Sequence, residues 1–202
     1  MKTFYVDLAP YRNHRSIGDY REAERELPES VGISGTMILA DSLPAAPLVP
    51  FGEIAFSFPY IPGVWQDDNC LCGGQELAVQ PGRWDRAAFF GFAEWSDFNI
   101  EVTARYADGQ EEICRAYFPH NEHGLSEPTM YQTVWKHDLN AGKTYRQAWR
   151  CRRQSGSEIR ESNFFGIDCP LPRRDADLLS LKLPVNDLVH IYALTLCDSG
   201  FL

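Results

Sequence analysis

The chain has 202 residues, 44% hydrophobic and 13% aromatic, enough to fill one sizeable core within a single domain spanning 1–202. Its 19 Lys and Arg against 28 Asp and Glu leave a formal charge of −9, which repels phosphate backbones and anionic membranes and excludes nucleic acid and membrane as general partners. No run approaches the roughly 18 apolar residues of a membrane helix, and the start MKTFYVDLAPYRNH lacks the apolar segment of a secretory signal, so a cytoplasmic protein with reduced thiols is expected.

In chain order, Thr3 to Leu8 is a predicted edge strand ended by Ala9-Pro10. Asp19 to Leu27, rich in Glu and Arg, is the one predicted helical turn. Its charges three and four residues apart read as a solvated face. Ser30 to Pro50 is rich in Gly, Ser and Pro, with Met37-Ile38-Leu39 as its only apolar stretch, and reads as a surface excursion. Glu53 to Phe58 alternates Ile54, Phe56 and Phe58 against Ala55 and Ser57, a half-buried strand. Pro59 to Gly74 is a predicted loop offering Tyr60, Trp65, Asp67, Asp68 and Asn69.

The stretch from Gly73 to Gly109 reads as three strands joined by tight turns. Gln75 to Val79 is broken by Pro81-Gly82, with glycine supplying the positive φ of a turn. Trp84 and Ala87 to Phe92 make an aromatic strand suited to a buried sheet. Asn99 to Tyr106 alternates Ile100, Val102, Ala104 and Tyr106 against Glu101, Thr103 and Arg105. Asp108-Gly109 predicts a two-residue hairpin with positive φ at both corners, and Glu112 to Phe118 returns.

The loop Pro119 to Leu125 carries His120 and His123, two of the five histidines. Tyr131 to Trp135, Tyr145 to Cys151, Asn163 to Asp168 and Leu178 to Leu183 are further predicted strands, with a turn over Pro184 to Asp187. Trp149 to Arg153 is locally basic and reads as a solvated strand face balancing nearby acids. Leu188 to Leu196 is apolar on both faces, with Leu188, Tyr192, Leu194 and Leu196 on one and Val189, Ile191 and Ala193 on the other. A strand so written sits centrally in its sheet, which a Greek-key or jelly-roll order allows and a meander does not. The fold class is therefore all-β, an antiparallel β-sandwich.

Six cysteines stand at Cys70, Cys72, Cys114, Cys151, Cys169 and Cys197. Most lie in apolar runs and read as small core residues. Cys70-Leu71-Cys72 lacks the C-x₂-C spacing and second pair of a zinc site.

Several blocks occur together: the early VDL strand, the segment from Phe51 to Pro59, DNCLCGGQELAVQPGRWDRAAFFGFAEW, the ARYADG hairpin and the terminal LPVNDLVHIYALTL. In combination they resemble galactose-binding-like jelly-roll modules of the kind that accompany bacterial glycoside hydrolases. The resemblance implies sugar recognition by loops at one end or by a concave sheet face, and a role in glycan metabolism.

Sugar binding needs aromatic platforms for ring faces and planar polar groups for hydroxyls. Two loops supply both, Trp65 to Asn69 and Ala93 to Asp97. The candidate ligand-binding residues are Trp65, Asp67, Asp68, Asn69, Glu94 and Trp95, with a carbohydrate as partner, no catalytic residue and no cofactor. The competing reading has each tryptophan plugging the core end while the acids cap turns. Trp84 and Trp149, inside strands, are predicted core, as is His190. An alternative is a metal-dependent enzyme on a sugar or sugar acid, using His120, Glu122, His123 and His137. In it Asp68, Glu94, Asp97 and Glu122 are candidate acid–base groups if their loops converge. A third is an assembly protein burying an aromatic face in a homodimer.

Overall fold

In the computed structural model of the chain, the residues described are 1–19, 35–58, 66–123, 125 and 145–199. The predicted helical turn from Asp19 and the predicted strand from Tyr131 to Trp135 fall outside them, Asp19 itself excepted. The described residues are all-β. Their strands are β1 (Thr3–Val6), β2 (Ile17–Gly18), β3 (Met37–Leu39), β4 (Leu48–Phe51), β5 (Ile54–Ser57), β6 (Cys70–Gly73) and β7 (Glu76–Gly82). There follow β8 (Arg86–Ala93), β9 (Phe98–Tyr106), β10 (Glu111–Phe118), β11 (Tyr145–Ser155), β12 (Glu158–Pro170), β13 (Leu178–Lys182) and β14 (Val185–Cys197). No helix among these residues is long and apolar enough to cross a membrane.

An eight-stranded sheet runs β1-β14-β8-β12-β11-β3-β2, with β6 also paired to β14. A four-stranded sheet runs β10-β9-β13-β7, and β4 pairs with β5. The middle strands of the large sheet are covered on both faces. On one face, Phe89 of β8 meets Phe118 of β10 with ring centroids 5.7 Å apart. On the other, Phe90 stacks on Phe164 at 4.8 Å and meets Phe56 and Phe58 from β5 and its end. Gly166 of β12 lies under Phe51 of β4: a Cβ there would meet the ring at 2.3 Å, so only glycine lets the β4–β5 hairpin sit down. The two-sided burial is why β8, β14 and the C-terminal half of β12 read as continuous apolar runs.

β1 lies at an edge, as the sequence predicts, whereas β14 is interior but stands second, beside β1, rather than in the middle of the sheet. β14 differs in phase from the predicted pattern. A bulge at Tyr192 shifts the register between Ile191 and Ala193, so Tyr192 stays on the side of His190 while Leu194 and Leu196 join Ile191.

Other differences have local causes. Met37-Ile38-Leu39 is a buried strand between β11 and β2, where a surface excursion was expected. Gly82 has no positive φ; it is the last residue of β7, paired with Leu178, and Trp84 packs closely over it. At the β9–β10 hairpin only Gly109 is left-handed, at φ 83°, and Tyr106 N donates to Gln110 O. The loop is therefore a type I turn closed by a glycine bulge, not a two-residue primed turn. A bulge between Leu178 and Ser180 turns Leu179 outward. The predicted turn over Pro184 to Asp187 is largely strand, because β14 already pairs with Gly73 at Val185. Cys70 and Cys72 belong to β6 rather than a loop, and burial pushes both thiols up to about 12, which keeps them protonated.

Candidate functional site

Four segments converge where β8 ends and β14 begins: residues 13–17, 66–69, 94–97 and 119–123. They are tied by backbone. His14 and Asn69 form a bridge in which each carbonyl accepts from the other's N–H, Ala93 N donates to Pro119 O, Asn121 N to Ala93 O, and Glu94 N to Leu188 O.

Within this junction lies a buried polar network. Asp68 accepts four donors: Ser16 N at 3.0 Å, Ile17 N at 2.8 Å, Ser16 Oγ at 2.8 Å and Asn69 Nδ2 at 2.8 Å. Ser16 Oγ gives its proton to Asp68, so Tyr192, 2.7 Å away, donates to Ser16. Asn69 Nδ2 faces acceptors, among them Ser16 Oγ and His14 Nδ1, each at 3.1 Å, which fixes the amide orientation. Its Oδ1 then accepts from His190 Nδ1 at 3.1 Å, and His190 Nε2 meets Glu94 Oε1 at 2.6 Å. Burial lowers His14 to about 4, reinforced by repulsion from His190 and opposed by Glu94, so the ring is neutral and its Nδ1 accepts. Burial pushes the Asp68 carboxyl up despite its four donors.

Beside the network runs a second, less buried arrangement. Asp97 Oδ2 accepts from Tyr117 OH at 2.6 Å, and Oδ1 from His120 N at 2.6 Å. Tyr117 stacks on Tyr145 at 5.4 Å, and the Tyr145 hydroxyl lies 2.7 Å from His123 Nε2. Burial and the nearby Arg153 lower His120 to about 4. Arg153, buried and paired with Glu122, is lowered to about 10 by that burial and by Arg160. The predicted solvated basic face therefore holds for Arg150 and Arg152, which pair with Glu161 and Asp41, and fails for Arg153. Between the two arrangements Trp95 is 46% exposed with φ 63°, the only non-glycine left-handed residue described. That backbone costs on the order of 1–2 kcal/mol for a bulky side chain.

The six candidate residues separate cleanly. Trp65 lies outside the described residues. Asp67 and Trp95 are exposed. Asp68, Asn69 and Glu94 do come together, through His190, but buried, so the structure corrects the expectation that they face a ligand. In this conformation they hold 13–17 and β14 to the loops. Both ring nitrogens of His190 are engaged and the residue is buried, so it is a bonded core histidine, as expected. Trp84 is core, whereas Trp149 is partly buried and donates to Ser42 O at 2.9 Å. Trp95 does not plug the core. For the metal alternative, no three His, Cys, Asp or Glu among the described residues are grouped to hold an ion, Glu122 is taken by Arg153, and His137 falls outside them.

Sequence reading missed Tyr117 and Tyr145 at the rim and His14, Ser16 and Tyr192 in the network. One signal was present: His190, a histidine inside an apolar strand, needs buried polar partners. No protein-family model matches the chain, and no curated protein matches it significantly.

Proposed function

We propose that this protein is a non-catalytic carbohydrate-binding β-sandwich of jelly-roll, galactose-binding-like order, taking its ligand at the rim formed by Trp95 with Asp67, His123 and Tyr145. The observation that carries the reading is Trp95: a large indole kept in water on a left-handed backbone whose neighbour, Glu94, is anchored in the buried network. Strain held in place by surrounding structure clusters at functional positions. An exposed aromatic plate two residues from Asp97, whose carboxylate lies 3.9 Å from the half-buried His123 ring, has the chemistry that sugar faces and hydroxyls require.

A concave-sheet mode fits less well. The outward residues of β9 are Asn99, Glu101, Thr103 and Arg105, and that face is laced by ion pairs. Arg105 meets Glu76 and Glu111 at 2.6 Å each, and Arg115 meets Glu101 at 2.8 Å. Among the described residues the aromatic on that face is Tyr117, which is buried against Tyr145.

The test is calorimetric titration of the purified chain with a panel of mono- and oligosaccharides, repeated on Trp95→Ala. An aromatic platform that a ligand covers contributes about 1–3 kcal/mol, so affinity should fall roughly 10- to 100-fold with the fold retained. Absence of binding across the panel, or equal affinity in the variant, overturns the reading.

A further inference from the structure

Cys114 and Cys169 lie on different sheets and face one another. On β10, Cys114, Ala116 and Phe118 are buried while Ile113 and Arg115 point to water. Phe118 touches Phe89, which fixes that side of β10 as the one against the large sheet. On β12, Ile167 and Cys169 pair with Phe89 and Ala87 and so share the same face of the large sheet. β10 packs directly on β12. Across that interface each thiol is the other's main electrostatic neighbour, and Cys114 Sγ donates to Val102 O at 3.2 Å.

We infer that Cys114 and Cys169 form a disulfide staple between the two sheets when a low-molecular-weight disulfide is available as oxidant. Thiols on the facing sides of two directly packed strands form the bridge by closing to the about 2 Å of a sulfur–sulfur bond. With glutathione disulfide, the Cys114 thiolate attacks one sulfur and releases one glutathione thiolate. Cys169 then attacks the Cys114 sulfur of the mixed disulfide and releases the second. The protein loses two electrons and two protons, and two glutathione molecules carry them away. The opposite order, with Cys169 attacking first, gives the same products. Both are deeply buried, so exchange proceeds during folding or opening of the sheets rather than at the resting surface.

Among the described residues the other cysteines are each buried elsewhere: Cys70 and Cys72 along β6, Cys151 against Ser162, and Cys197 against Ser199. A bridge from 114 to 169 closes a loop of about 55 residues, large enough to constrain the unfolded chain strongly.

The experiment is refolding in graded mixtures of reduced and oxidised glutathione, followed by alkylation and tryptic mapping. The expected product is the peptide Tyr106–Arg115 joined to Glu161–Arg173, a mass 2 Da below the reduced chain, and a melting temperature several degrees higher, all lost in Cys114→Ser. Since oxidative refolding can fail for other reasons, the same map is made on natively folded protein treated with diamide, which accepts the same two electrons and two protons. Recovery of both cysteines as alkylated thiols in both arms, or a bridge from either to another cysteine, overturns the inference.

Discussion

Two polar regions meet at the end of the large sheet, and they differ in burial rather than in kind. Both join carboxylates to histidines and tyrosine hydroxyls. In the first, Asp68, Asn69, His190 and Glu94 lie within the core, and every side-chain bond described is directed at another part of the chain. In the second, His123 and Tyr145 are half-buried, while Tyr117 and the Asp97 carboxyl that hold them lie nearly as deep as Glu94. Burial decides the role. A polar group removed from water must bond within the protein, so it becomes a joint; the same group left half in water keeps capacity for a ligand.

If the first region is a joint, breaking it should have the largest effect. Asp68→Ala leaves the N–H groups of Ser16 and Ile17 buried without their acceptor. Each orphaned donor costs about 1–3 kcal/mol, so the variant should lose roughly 3 kcal/mol or more. In a chain of this size, that is a fall of about 6–12 °C in melting temperature. A fall under 2 °C would show that β2 is held by its pairing with β3 alone.

Acid should separate the regions next. His14 and His120 titrate near 4 when folded against an ordinary 6.5. Between those values the unfolded chain binds more protons, so stability is full above about 6.5 and falls as pH drops toward 4. The depression of His14 corresponds to roughly 3 kcal/mol across that window. Asp68, raised by burial, works the other way and softens the loss at the acid end. Melting temperature measured from pH 8 to 4 should decline, and His14→Gln should flatten the slope. A flat wild-type profile would place neither histidine in a neutral buried state.

How much of this was legible in the sequence follows from the same physics. Periodicity reports how a strand is covered, so the alternation of Ile100, Val102, Ala104 and Tyr106 and the two-faced apolar run of β14 could be read directly. Met37-Ile38-Leu39 is too short for any period to show, and its partners Gln154 and Arg153 lie more than a hundred residues away. The bulge at Tyr192 leaves no mark in a pattern of uniformly apolar residues. The run Asp67-Asp68-Asn69 reads as one polar loop, yet only Asp67 faces water. Asp68 turns inward because Ser16 and Ile17 offer it backbone donors, and a pairing across some fifty residues is invisible to local composition.

The rim should yield smaller changes. Tyr145→Phe removes the hydroxyl at His123 Nε2, a half-buried bond of about 1 kcal/mol, and should lower the melting temperature by 2–4 °C. No change would mean that water replaces the hydroxyl without loss.

The smallest expected effect, and the most discriminating, is that of Trp95→Gly on stability. A left-handed tryptophan is strained, and glycine relieves that strain at the cost of a more flexible unfolded chain. The two effects oppose each other, leaving a gain of about 1 kcal/mol or less. If the indole served packing, its removal would instead destabilise the fold by several kcal/mol, as loss of a core aromatic does. A melting temperature that holds or rises in Trp95→Gly, together with weakened sugar binding, therefore assigns Trp95 to the surface it presents. A fall of 8 °C or more assigns it to the core and removes the platform from the rim.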